Sequence, residues 1–314
     1  MKIALYLTPL SPHHLRLAAQ IGTEEIVAPY PGPNPRDLLR LCDEIDSYGM
    51  RLSVIERHIP HDLLVHRRPG WERQLQAIVD LVQAMGEARV PVLCYNWMPD
   101  DDWQRTSVDS RERGGALVTE FDLSQVEDPP APPDATPAAA LWENLEAFLR
   151  QIIPVAEQSG VSLALHPDDP PLDRLRGQDR IITSIAACER AVQLVPSPAN
   201  GICYCQGTFA SAGENVVEGI SRLGPHIRFG HFRDVVGTAA RFRETFQDNG
   251  QTDMPAAIRA WREIRFDGPL RPDHVPTLDG ETNEHPGYEM LGRLWAVGYL
   301  RGLLDATAST HSPA

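Results

Sequence analysis

Four apolar runs of strand length each end on a side chain that can bind a divalent cation. Val161 to Leu165 leads into His166, GICYC ends on Cys205, IRFGH reaches His231 and PLRPD ends on Asp273. Imidazole, thiolate and carboxylate are the groups with which proteins hold zinc and the first-row transition metals. Any one of these residues alone would more often be a buried structural residue. Four candidate ligands at successive strand ends shift the reading to a metal site, because an α/β barrel gathers its functional side chains in this way. The thiolate favours zinc or ferrous iron, while a carboxylate in a mixed set is compatible with manganese. Cys203 precedes Cys205 by two residues and shares its face of the strand. It lies farther from the C-terminal mouth and reads as a small core residue.

Other polar side chains fall near the same strand ends. Arg233 follows His231 by two and should share its inward face, where it could hold a substrate carboxylate or hydroxyl; ordinary ion pairing is the alternative. Arg105 carries the same two readings. Asn96, closing the fourth strand, could contact a hydroxyl or simply serve the turn. Asp168 and Asp169 could support a ligand or form the turn after His166. Trp97 and Trp103 could cover a substrate or pack the loop that carries them. His13, His14, His58, His61 and His66 have no partner that the sequence assigns.

These side chains need a frame. Strand-like runs at Lys2–Leu7, Glu25–Pro29, Arg51–Glu56, Val90–Asn96, Val161–His166, Gly201–Cys205, Ile227–Phe232 and Pro269–His274 alternate with helix-like segments. The helical periodicity falls near 12–21, 35–49, 71–88, 138–159, 183–195, 213–223, 253–265 and 286–304. Eight βα repeats predict a (β/α)8 TIM barrel, an α/β fold in one domain over residues 1–305. An open doubly wound sheet lacks its glycine-rich turn after the first strand. Pro35 after Asn34 marks a helix start, and Gly49 and Gly160 mark helix ends. Residues 97–137 form a long insertion after strand 4, carrying Asp100–Asp102 and PPAPP, and are expected to act as a lid. The stretch from Glu127 to Pro137 reads as a semi-rigid spacer. The tail, 306–314, is expected to be disordered and its His311 idle.

Bulk composition narrows the partners. A net charge of −14 over 314 residues argues against a general nucleic-acid binder and leaves small acidic substrates open. Five cysteines, odd in number and scattered through predicted elements, point to a reducing compartment. No run is long enough to span a membrane, and MKIALYLTPL lacks a cleavage pattern, so a cytoplasmic location is expected. A homo-oligomer stays open.

In chain order, VLCYNWMPDDDWQRT, LALHPDDPP, GICYCQG, the segment Phe229–Val235, DNGQTDM and RPDH resemble mannonate dehydratase. That family consists of metal-dependent sugar-acid lyases whose barrel is related to that of xylose isomerase. The resemblance runs from VIERHIP at strand 3 to PGY and GYLRGL near the end. It implies that His166, Cys205, His231 and Asp273 hold the metal, usually Mn2+, and that His274 of RPDH and Tyr288 of PGY are catalytic. The chain departs from the family at Val275 and Pro276, where glycine usually follows RPDH. It departs again at Met290 and Leu291, near the place of an expected tyrosine, and it is short for the family.

Dehydrating a sugar acid takes a proton from C2 and expels the C3 hydroxyl. Losing that proton builds a second negative charge on the carboxylate, which a bound divalent cation offsets. A general base and a general acid would each contribute about 10²–10⁴-fold. Which of His274 and Tyr288 does which is open at this level. The expected reaction is D-mannonate to 2-keto-3-deoxy-D-gluconate. The alternatives are a sugar isomerase or epimerase on the same barrel and a non-catalytic sugar-acid or metal sensor.

Overall fold

The computed structural model describes residues 1–99, 103–127 and 129–308. Eight parallel strands pair in sequence order, and the last pairs with the first to close a barrel. Barrel strands 1 to 8 are Lys2–Tyr6, Glu25–Ala28, Arg51–Glu56, Val92–Tyr95, Ser162–Leu165, Asn200–Cys205, Ile227–Phe232 and Pro269–Pro272. Both faces of these strands are buried, so they read as apolar runs rather than alternations. Ala4, Val27, Val54, Val92, Ala164, Cys203 and Phe229 fill the barrel interior. Their strand neighbours Leu5, Ile26, Ile55, Leu93, Leu163 and Ile202 join the larger core shared with the helices. Cys203 is thus a packing residue of the inner layer.

The helices follow the sequence punctuation. Asn34 accepts a hydrogen bond from the Arg36 N–H at 3.1 Å and Pro35 begins the helix Pro35–Asp46. Gly160, at φ 68°, takes the left-handed conformation that ends Ala138–Ser159. Strands 4, 5 and 8 stop earlier than their apolar runs suggest. Asn96, His166, Asp273 and His274 therefore lie just beyond the sheet, where the chain turns into loops.

No strand is expected within residues 97–137, yet the structure has two. Ser107–Arg111 and Leu117–Asp122 form a four-stranded antiparallel sheet with Val235–Thr238 and Arg241–Glu244, which follow barrel strand 7. Their short, charge-bearing sequences hide the period of two. The root of this insertion is tied down twice. Trp97 donates its indole N–H to the Leu141 carbonyl at 3.1 Å and stacks on Phe148, so it packs rather than covers. His66 lies 2.9 Å from the Pro99 carbonyl through Nε2 and 2.9 Å from Thr136 Oγ1 through Nδ1. The acidic run Asp100–Asp102 lies outside the described residues. So does the tail from residue 309, including His311, beyond the last helix Met290–Ala306. No helix among the described residues is long and apolar enough to cross a membrane.

Candidate active site

Strand register brings the chemistry together. Cys205 pairs with His231 across strands 6 and 7, and His231 pairs with Arg271 across strands 7 and 8. His166 is tethered by its backbone N–H to the Tyr95 carbonyl at 2.7 Å. His166 Nε2 then lies 3.2 Å from His231 Nδ1, and His231 Nδ1 lies 3.4 Å from Asp273 Oδ2. Cys205 Sγ is 4.0 Å from the same carboxylate oxygen. Donor atoms of His166, Cys205 and His231 all fall within 4.8 Å of one another, close enough for one ion to touch each.

The outer partners turn the right atoms inward. His166 Nδ1 is 2.6 Å from the Pro167 carbonyl, which can only accept, so Nδ1 carries the hydrogen and Nε2 offers its lone pair. His231 Nε2 faces Glu56 Oε1 at 3.1 Å, which leaves Nδ1 for the cluster. A carboxylate behind a histidine is a common support for a metal ligand.

Charge also fits a divalent cation. Burial favours the neutral acid at Glu56, but Arg271 and His231 outweigh it and hold the carboxyl well below its usual range. At Asp273 burial is likewise overcome, by Arg271, His274 and His231. Burial opposes a thiolate at Cys205, yet Arg233 and His166 draw its pKa well below the usual value. Asp169 and Glu244 are ionised too, burial being outweighed mainly by Arg105 and Arg233 at the first and by Arg233 and His274 at the second. These five anions surround three guanidinium groups, those of Arg105, Arg233 and Arg271. A divalent ion would bring the set to neutrality with every histidine uncharged. Burial and Arg271 oppose a charge on His231, but Asp273 and Glu56 raise its pKa well above the usual value.

Asp169, Glu244 and His274 also converge, but two arginines thread through them. Arg105 reaches Asp169 at 2.9 Å and Glu244 at 2.7 Å, and Arg233 reaches the same two acids at 2.8 Å each. The acids are already neutralised, so this group is an ionic brace. His274 hangs from it, with Nδ1 2.8 Å from Glu244 Oε1 and Nε2 3.1 Å from Tyr288 Oη. Tyr288 Oη is 3.5 Å from Asp273 Oδ1. Burial, with Asp273 adding to it, pushes the Tyr288 phenol upward, so it keeps its proton at neutral pH. A cavity of ≈ 830 Å³ opens over this arrangement, its wall including Glu56, Asn96, His166, Asp273, His274 and Tyr288.

Arg233 and Arg105 meet partners other than those expected of substrate-binding residues. Arg233 does point inward, but it is 1% exposed and absent from the cavity wall. Its Nε faces Asp273 at 3.0 Å and Cys205 Sγ at 3.3 Å, and its Nη2 also reaches Thr208 Oγ1 at 2.9 Å. With the acid contacts above, its donors are spent on the protein. Gly207 makes room for it, since a Cβ there would sit 2.6 Å from Nη1. Arg105 is likewise buried in the brace and off the cavity wall. Asn96 does line the cavity, its Oδ1 accepting from the Met98 N–H and facing His61 Nε2, both at 3.1 Å. Asp168 accepts from the Ile181 and Ile182 N–H groups and so holds its loop, whereas Asp169 belongs to the brace.

Glu56 and Arg271 went unremarked in the sequence. Glu56 ends an apolar strand, as His166 follows one, and the same criterion applied to strand 3 would have found it. Arg271 interrupts the apolar strand 8 and grips Glu56 Oε2 at 2.9 Å and Asp273 Oδ1 at 2.8 Å.

Residues 19–132 and 134–313 match the model of a protein family described as D-mannonate dehydratase (UxuA). A mannonate dehydratase of Streptococcus agalactiae serotype Ia is 33% identical over 297 residues, covering 85% of each chain. The crystal structure of mannonate dehydratase from Streptococcus suis serotype 2 superposes with a TM-score of 0.91 at 30% identity, over 98% of this chain and 93% of that one. A xylose isomerase domain protein from Planctomyces limnophilus superposes with a TM-score of 0.64 at 14% identity, over 98% of both chains, a likeness of fold alone.

Proposed function

The chain belongs to the D-mannonate dehydratase family and is a sugar-acid hydro-lyase; from that premise we propose that it converts D-mannonate to 2-keto-3-deoxy-D-gluconate. The observation that carries this reading is the convergence of two histidines, a thiolate and a carboxylate beside a hydrogen-bonded His–Tyr pair. His166 Nε2, Cys205 Sγ, His231 Nδ1 and Asp273 would hold the metal, for which we adopt manganese, although the thiolate also suits zinc or ferrous iron. When bound, the ion supplies Lewis-acid stabilisation of the charge that builds on the substrate carboxylate.

The acid–base work falls to the pair. In the tautomer whose Nδ1–H donates to Glu244, His274 presents the Nε2 lone pair to take the C2 proton. The Glu244 carboxylate, 2.8 Å behind, stabilises the imidazolium that results. Tyr288, still protonated, gives its proton to the C3 hydroxyl as that group leaves as water. His274 Nε2 lies 3.1 Å from Tyr288 Oη, so the abstracted proton can return to the tyrosine and reset both groups. The enol product becomes the 2-keto acid by tautomerisation. Arg105 and Arg233 act through the brace that fixes His274.

The test is a panel of aldonates offered to manganese-loaded protein. D-mannonate should give a product lighter by one water, at the highest kcat/KM of the panel. An epimerase would return an isomer of unchanged mass, and a sensor would bind without turnover; either result on every aldonate would overturn the reading.

We further propose that residues 97–137 act as a lid, since Met98, Pro99, Trp103, Pro129 and Pro132 form part of the cavity wall. Limited proteolysis should cut this segment more slowly once metal and D-mannonate are present. Equal rates would remove the lid role. Five free cysteines support a cytoplasmic location.

A further inference from the structure

Among the described residues, and apart from Tyr95 Oη, whose ring packs on Phe148 toward the helices, two buried polar atoms of cavity-wall residues have neither a hydrogen-bonding nor an ion-pair partner. They are the indole Nε1 of Trp103 and the side-chain Oε1 of Gln178. Native proteins rarely leave a buried donor or acceptor unmade, because the group has given up water without compensation. On a cavity wall such an atom is matched by what enters the cavity. The two atoms are also opposite in kind: an indole N–H can only donate and an amide oxygen can only accept. A polyhydroxy acid satisfies both, since each of its hydroxyls donates and accepts.

Both side chains are held in place. The Trp103 ring centroid is 5.5 Å from that of His274, and the Arg105 guanidinium lies over the indole at 5.2 Å. This fixes the indole beside the histidine that handles the C2 proton. Gln178 sits in the hairpin made by Arg174–Leu175 and Gln178–Asp179, after barrel strand 5. Its neighbour Asp179 accepts from the Ala138 N–H at 2.9 Å. Gly177, at φ +75°, runs so close to the insertion that a Cβ would lie 2.8 Å from the Pro129 carbonyl. Gln178 is therefore part of a packed wall.

We infer that Trp103 and Gln178 read the hydroxyl groups of the substrate. Trp103 donates to a hydroxyl oxygen near the reacting carbons, and Gln178 Oε1 accepts from another hydroxyl, so that together they select among aldonates. The inference rests on the sugar-acid dehydratase reading given above.

Trp103→Phe keeps a ring against His274 and removes the N–H; Gln178→Met keeps the length and removes the acceptor. Each manganese-loaded variant is assayed against wild type on D-mannonate and on its analogues lacking the C4, C5 or C6 hydroxyl. Metal content and Tm should be unchanged, and kcat/KM on D-mannonate should fall about 10-fold or more. For each residue one analogue should abolish the difference, leaving variant and wild type within about twofold, because the lost partner cannot be lost twice. Unchanged kcat/KM on D-mannonate would overturn the inference while wild-type turnover upholds the enzyme. So would a loss of the same size on all three analogues, which is the signature of a merely structural role. If wild type dehydrates no aldonate, the enzyme reading falls and this inference falls with it.

Discussion

A Cys205→Ala or His231→Ala enzyme will leave purification with a metal content well below that of wild type and without measurable dehydratase turnover. Cys203→Ala will keep both. The contrast is sharp because the two cysteines lie two residues apart on one strand and face the same interior. Cys205 stands at the mouth, opposite His231 and beside Asp273, where its thiolate is one of five anions facing three arginines. Cys203 packs among Val27, Val54 and Phe229, where a thiol serves as a small apolar group. Elemental analysis of the three proteins, with turnover on D-mannonate, decides the matter. Wild-type metal content in both ligand variants would remove these residues from the coordination set.

Tyr288→Phe should lower kcat by about 10²-fold or more while metal content and fold stay those of wild type. The phenol is buried, keeps its proton and hydrogen-bonds to His274, so deleting one oxygen removes the acid without opening a cavity. His274→Asn should give a comparable loss and also retain metal. Asp273→Ala, one residue away, should lose the metal. Combining the His274 and Tyr288 changes should cost less than the sum of the separate effects, since the two groups serve one transition state. Near-wild-type kcat for Tyr288→Phe on D-mannonate would refute the assignment.

The barrel was legible because its signals are local and repeated. Strands buried on both faces produce apolar runs, and Asn34–Pro35 and Gly160 mark helix ends through their own backbone preferences. The ligand set was legible for a related reason: a histidine or aspartate at the end of an apolar strand contrasts with everything around it. The ionic brace was not legible. Arg105 lies in the insertion, Asp169 after strand 5, Arg233 after strand 7 and Glu244 in the small sheet. Only folding brings each of the two arginines within 3 Å of both acids, and no spacing in the chain records it. The same limit explains Arg233. Period two placed it facing inward, but what an inward side chain meets at that depth is decided by three other segments.

His66 holds the start of the insertion by the Pro99 carbonyl and its end by Thr136 Oγ1. The chain thus leaves and re-enters the barrel frame at a single side chain, which closes the loop whatever the length of the stretch between its anchored strands and Thr136. The entropy of closing such a loop grows only with the logarithm of its length, about 0.6 kcal/mol for each doubling. Changing the length of the stretch between Asp122 and Thr136 therefore costs the frame little, provided the knot at His66, the Arg105 ion pairs and the strands of the small sheet are kept. The part of the cavity wall at Pro129 and Pro132 can thus vary in length, while the charges of the site, Arg105 of the insertion among them, stay where the fold puts them.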